Sequence, residues 1–143
     1  MFWMLSARFL IENAIYYAGG GFALWKGGRA ERLVAAALLI ENTISILVQT
    51  AHAATGPRYL TLSMDVAVLL VILFVAFSTN RRWALLASAL QILSMLTYVA
   101  RIIDPTVGSW AYLTIDIGIS FILMATVVYG AIMHMRRCPR VAT

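Results

Sequence analysis

Five long apolar runs constrain this 143-residue sequence more than any other feature. Each run has about 17–25 residues, which is the length that an α-helix needs to cross the ~30 Å hydrocarbon core of a bilayer. The runs cover approximately residues 2–25, 33–54, 59–78, 83–103 and 110–135. Because lipid cannot hydrogen-bond to a peptide backbone, such runs are predicted to be helices. We therefore expect an all-α integral membrane protein, a compact bundle of five transmembrane helices.

Composition points in the same direction. The chain is 62% hydrophobic and 12% charged, with a mean hydropathy of +0.87, whereas a soluble domain needs more polar surface. The length leaves room for one domain, so residues 1–143 are predicted to form a single transmembrane unit with the lipid bilayer as its main partner. The single cysteine, Cys138, excludes an internal disulfide and a cysteine-rich metal site, and it reads as an incidental thiol.

Basic residues alternate between the segment ends and predict the orientation. The larger group follows the first, third and fifth runs, and the smaller group lies at the other ends. Cytoplasmic segments carry the excess of Lys and Arg, so the N-terminus is predicted outside and the C-terminus in the cytoplasm of a bacterial inner membrane. This pattern explains the net charge of +5 without nucleic acid. The larger group is Lys26, Arg29, Arg32, Arg81, Arg82, Arg136, Arg137 and Arg140, and the smaller is Arg8, Arg58 and Arg101.

Four carboxyl groups interrupt the apolar runs: Glu12, Glu41, Asp65 and Asp116. A carboxylate at bilayer depth costs at least ~2.5 kcal/mol on insertion scales, so each one needs a partner or a function. Arg8 lies four residues before Glu12 on the same helix face and offers it a partner.

Further polar residues extend these positions into stripes. At 100° per residue, Glu41, Ser45, Gln49 and His52 share one face of the second helix, and Asn42 widens it slightly. The fourth helix has a second stripe, made of Gln91, Ser94, Tyr98 and Arg101. Because lipid cannot satisfy these groups, the stripes must face one another or water.

The stripes predict a polar, acidic cavity in the outer half of the membrane. It would bind or conduct a cation, a proton or a small polar ligand, as a transporter or channel does. The predicted ligand or proton-binding residues are Glu41, Asn42, Ser45, Gln49, His52, Asp65 and Asp116, with Glu12, Gln91, Tyr98 and Arg101 in support.

Other functions stay open at this point. The stripes could instead be interhelical hydrogen bonds of a structural or accessory subunit, which dock helices in an oligomer or larger complex. A homo-oligomer is expected for a pore, because five short helices make a thin bundle. A membrane-embedded isomerase or hydrolase is a weaker alternative, since no nucleophile motif is present.

No cofactor is predicted. His52 and Asp65 are candidate metal ligands without a motif behind them. A haem held by two histidines is disfavoured, because His134 is predicted on the opposite side of the membrane from His52.

Weak internal repetition is also present. Leu10-Ile11-Glu12-Asn13 recurs as Leu39-Ile40-Glu41-Asn42, and Tyr-Leu-Thr precedes both Asp65 and Asp116. Small-molecule transporters are often built from such repeats, although apolar segments of limited alphabet also match by chance.

Overall fold

The computed structural model describes residues 2–51, 58–103 and 109–137, with side chains for 10–47, 62–100, 103 and 114–137. These residues form five α-helices and, within that described part, no strand. The prediction of five helices in an all-α fold is confirmed, with ends close to the predicted ones. The helices are α1 (Phe2–Lys26), α2 (Arg29–Ala51), α3 (Arg58–Thr79), α4 (Arg82–Ile103) and α5 (Ser109–Arg137).

The start of α2 is the largest difference from the predicted boundaries. It begins at Arg29 rather than near residue 33, so Gly27 and Gly28 alone separate it from α1. The Gly27 N–H donates to the Ala23 carbonyl at 2.9 Å, and a Cβ on Gly27 would lie 2.3 Å from that oxygen. The Arg32 Nε donates to the Gly27 carbonyl at 2.9 Å. A polar, charged segment is therefore helical here because its side chains satisfy the helix ends.

The α3–α4 turn relies on an asparagine. Asn80 has a φ of 49°, in the left-handed region that asparagine tolerates better than most residues. Its N–H donates to the Ala76 carbonyl at 3.1 Å, which closes the last turn of α3. The chain then reverses directly into α4.

The helices pack as a ring in chain order. Each helix contacts the next, α5 closes the ring against α1, and α2 also contacts α5 across the middle. The α1–α2 turn, the α3–α4 turn and the end of α5 lie at one end of the bundle, where Glu31 pairs with Arg81 and Gly28 lies beside His134. We call this end the basic end, after its residues Lys26, Arg29, Arg32, Arg81, Arg82, Arg136 and Arg137.

Two glycines allow close helix packing. A Cβ on Gly20 of α1 would lie 2.6 Å from the Leu39 side chain of α2, and one on Gly130 of α5 would lie 2.9 Å from the Trp83 ring. Gly20 therefore lets α1 and α2 approach each other closely. By contrast, nothing lies within 4 Å of the corresponding position on Gly21.

Among the described residues, three helices are long and apolar enough to cross a membrane, over Leu62–Thr79 of α3, Arg82–Ala100 of α4 and Thr114–Arg137 of α5. The outer surface of α3 is correspondingly apolar, since Leu70, Phe74 and Phe77 are 61%, 67% and 80% exposed. Such a surface is suited to lipid, where exposed apolar side chains cost nothing. The fold therefore supports association with a membrane.

Candidate functional site

Carboxyl and amide groups from three helices meet inside the bundle. The Glu41 carboxyl of α2 lies within hydrogen-bonding reach of the Asp65 carboxyl of α3 and the Gln91 amide of α4. The Gln91 Nε2 also donates to Asp65 Oδ1 at 3.3 Å. One amide therefore bridges two acidic side chains that approach each other closely.

The remaining two helices complete the group. Ser94 of α4 donates its hydroxyl to Asp116 Oδ1 of α5 at 3.0 Å. Asp65 is near enough for its charge to act on Asp116, and Tyr16 of α1 is similarly close to Glu41 and Asp116. Every helix thus contributes at least one polar side chain to one place. We call this set the carboxyl cluster: Tyr16, Glu41, Asp65, Gln91, Ser94 and Asp116.

Burial changes across the carboxyl cluster. Gln91 and Tyr16 are buried, at 3% and 9% exposure, and Glu41 and Asp65 are half-buried, whereas Asp116 is exposed. The cluster therefore has a deep side at Gln91 and an open side at Asp116.

The charges of the cluster are not balanced by the basic side chains that the structure describes. All seven of those lie at the basic end, and Glu41 is twelve residues beyond Arg29, which is about 18 Å along a helix. Carboxylates held this close repel each other, and a proton or a bound cation relieves the repulsion. The arrangement is therefore chemically suited to taking up positive charge.

An apolar layer separates the cluster from the basic end. It is made by the same helix faces: Val34 and Leu38 precede Glu41 on α2, and Ile72 follows Asp65 on α3. All three are fully buried. We call this layer, together with the buried Leu123 and Val127 of α5, the apolar plug. Its side chains fill the interior of the bundle between the carboxyl cluster and the basic end.

The predicted site residues fall into two groups. Glu41, Asp65, Asp116 and the supporting Gln91 are brought together in the carboxyl cluster. Asn42 instead turns to α1, where its Nδ2 donates to Asn13 Oδ1 at 3.2 Å.

The other predicted residues lie around or beyond the cluster. Half-buried Glu12, Ser45 and Tyr98, each with an interaction of its own, lie on α1, α2 and α4. The side chains of Gln49 on α2 and Arg101 on α4 are outside the described set, as is that of Arg8. His52, and with it the candidate His52–Asp65 metal site, lies outside the described residues altogether. In the part of the chain that is described, no three His, Cys, Asp or Glu side chains are grouped to hold a metal ion.

One buried acidic residue was missed by sequence reasoning. Glu31 is fully buried and forms an ion pair with Arg81. The predicted runs end at residue 25 and resume at residue 33, which leaves Glu31 in the connection between them. A helical signal was nevertheless present, since Glu31, Val34, Leu38 and Glu41 follow a spacing of three, four and three residues on one face of α2.

Fold and site together define a class: an apolar-surfaced bundle of five helices with a partly buried acidic cluster between them. Comparison of the chain with protein-family models, with curated proteins and with solved structures found no match.

Proposed function

We propose that this chain is a five-span protein of a bacterial inner membrane whose carboxyl cluster takes up a proton or a small cation from the outer side. The observation that carries the proposal is the close pair of Glu41 and Asp65, with Asp116 near enough for its charge to act on Asp65 and with every described basic side chain at the opposite end. We propose further that this uptake is the binding step of transport.

The five-span arrangement is supported by helix length. The helices α1 and α2 have 25 and 23 residues, or about 37 and 34 Å at 1.5 Å per residue, comparable with the three apolar helices. In a ring where each helix packs on the next, all five would cross together. The basic end would then face the cytoplasm, since positive residues concentrate there.

The chemistry of the cluster favours hard, positively charged ligands. The atoms that would bind the ligand are carboxylate, amide and hydroxyl oxygens, which suit protons, alkali cations and ammonium rather than soft metals. The Gln91 amide and the Ser94 hydroxyl hold Asp65 and Asp116 in place, so the acidic oxygens are pre-positioned. Other small polar ligands would have to supply hydrogen-bond donors to the same oxygens.

Access is proposed from one side only. Asp116 is exposed, whereas Val34, Leu38 and Ile72 of the apolar plug are fully buried below the cluster. A closed layer beneath an open site is the arrangement of a carrier in one of its two states, rather than that of an open pore. Release to the inner side would require the plug to rearrange.

The test is binding by the purified protein in lipid nanodiscs. Proton uptake is followed with a pH dye, and NaCl, KCl and methylammonium chloride are titrated by calorimetry at constant ionic strength. We expect Glu41→Gln with Asp65→Asn to abolish uptake. Ser88→Ala is the matched control, because Ser88 donates only to the Leu85 carbonyl of its own helix, at 2.8 Å. Uptake that is the same in the double variant and the control would disprove the proposal.

A structural role is the second candidate, and two contacts favour it. Asn42 bonds Asn13, and the Tyr17 hydroxyl lies 2.8 Å from the Thr43 hydroxyl, so polar groups do join α1 to α2. In an accessory subunit or homo-oligomer, the isosteric carboxyl variants would change migration on native gels without changing ion uptake. That result would favour the structural role over ligand binding.

A further inference from the structure

A second group of polar side chains lies at the basic end, about 15 Å along α2 from the carboxyl cluster. Its centre is Glu31, whose side chain is completely buried. Arg81 Nη1 donates to Glu31 Oε1, which leaves Oε2 without a hydrogen-bond partner among the described residues. Buried carboxylate oxygens are rarely left unsatisfied, because desolvation costs about 1–3 kcal/mol or more. A hydrogen-bond donor to Glu31 Oε2 would therefore be stabilising.

The imidazole ring of His134 lies close to Glu31 Oε2, beside Gly28. The position that a Cβ would take on Gly28 is 2.9 Å from Glu31 Oε2 and 3.0 Å from His134 Nδ1. The two atoms converge on one point and are therefore within about 6 Å of each other. Only a glycine leaves this space open. One water molecule bonded to both atoms can span such a distance.

Trp83 provides a second unpartnered group on the same side of α5. Its Nε1 is buried and has no hydrogen-bond partner in the described part of the chain. The indole ring packs on Gly130, one helical turn before His134. Trp83 is therefore placed to report on the charge of the His134 ring.

The charges around His134 are otherwise positive. Glu31 is the one acidic side chain at this end of the bundle among the described residues. Arg32 is held by the Gly27 and Trp25 carbonyls, and Lys26 lies 4.3 Å above the Trp25 ring. The charged groups from the packed elements are thus Lys26 on α1, Arg29, Glu31 and Arg32 on α2, Arg81 and Arg82 at the α3–α4 turn, and Arg136 and Arg137 on α5 itself.

We propose that Glu31 and His134 form a proton-binding pair at the basic end, separate from the carboxyl cluster. The His134 ring takes up one proton from the aqueous phase at that end, and the resulting imidazolium donates an N–H to Glu31 Oε2. Of the ionisable side chains, imidazole is the one that ordinarily changes charge between pH 5 and 8. Proton uptake gives the orphaned oxygen its partner and ties α5 to the start of α2.

The direct test is NMR of the two histidine rings of the intact protein in nanodiscs between pH 8 and 5, with His52→Gln used to assign the His134 signal. We expect one titration step at His134 and a matching fall in Trp83 fluorescence, because an imidazolium quenches a nearby indole. Trp83→Phe identifies the fluorescence that belongs to Trp83. His134→Gln should remove the fluorescence step.

Two variants test the pairing itself. Glu31→Gln removes the acceptor charge, and Gly28→Ala places a methyl group between the two side chains, so each should move the His134 midpoint to lower pH. Gly21→Ala is the matched control, since nothing lies within 4 Å of its added methyl, and it should leave the midpoint unchanged. Gly28→Ala keeps the test decisive if Glu31→Gln fails to fold. A midpoint that neither variant moves, or a Trp83 signal independent of His134, would overturn the proposal.

Discussion

Asn42 donates its side-chain amide to Asn13 at 3.2 Å, and these two residues are the last of the two Leu-Ile-Glu-Asn repeats. The repeats therefore lie side by side on adjacent antiparallel helices, with equivalent residues in contact. The glutamates that precede the two asparagines have different surroundings. Glu41 joins the carboxyl cluster, whereas Glu12 lies on α1 one turn from Tyr16.

The asparagine pair should make a small, measurable contribution to stability. We expect a double-mutant cycle of Asn13→Ala and Asn42→Ala to give a coupling free energy of about 0.6 kcal/mol, typical of interhelical hydrogen bonds in membranes. Reversible unfolding in mixed detergent micelles would measure it. A coupling of zero would show that each asparagine has a better partner elsewhere.

Gly20 and Gly21 should respond oppositely to alanine. Gly20→Ala should destabilise the protein by about 1–3 kcal/mol, because the new methyl overlaps the Leu39 side chain and forces α1 and α2 apart. Gly21→Ala meets nothing within 4 Å and should be neutral, or stabilising by up to about 1 kcal/mol through helix propensity. The midpoints of thermal unfolding of the two variants provide the comparison.

Removing one partner of the buried Glu31–Arg81 ion pair should lower the free energy of unfolding more than removing both partners. Arg81→Leu leaves the Glu31 carboxylate buried and unpaired, with a loss expected near the low end of the ~3–5 kcal/mol range, because Arg81 is partly exposed. Arg81→Leu with Glu31→Leu should recover most of that loss. Unfolding in denaturant measures both variants, and equal losses would mean that the carboxylate is solvated.

Alanine variants of two serines on α4 can distinguish an effect on ligand binding from a general effect on the fold. Ser94→Ala removes the hydroxyl that donates to Asp116, and should strengthen proton binding several-fold, since that hydrogen bond stabilises the unprotonated carboxylate by about 1 kcal/mol. Ser88→Ala, whose hydroxyl bonds within its own helix, should leave the affinity unchanged. Equal affinities for the two variants would place Ser94 outside the ligand site.

The proposed orientation can be tested with single cysteines in a Cys138→Ser background. Thr79→Cys lies at the basic end and Ile103→Cys at the opposite end of α4, and both positions are exposed. A membrane-impermeant maleimide added to intact cells should label Ile103→Cys and spare Thr79→Cys until the cells are lysed. The reverse pattern would invert the proposed topology.

The sequence was sufficient to predict the helices and the separation of charge along the bundle. Length and hydropathy fixed five helical segments, because a continuous apolar run has few alternatives to a helix. The concentration of Lys and Arg after alternate runs predicted which helix ends lie together, and contacts such as that of Glu31 with Arg81 join those ends.

Which polar faces meet was decided by tertiary structure alone. Glu41 and Asn42 are neighbours in sequence, yet one points to α3 and α4 and the other to α1. Adjacent polar residues on a helix point about 100° apart, and the sequence does not say which neighbouring helix each one will meet, so packing decides it. Here the contact of Gly20 with Leu39 helps to fix how α1 meets α2. For the same reason Glu31 could be recognised as buried only once the early start of α2 placed it on the face that carries Val34 and Leu38.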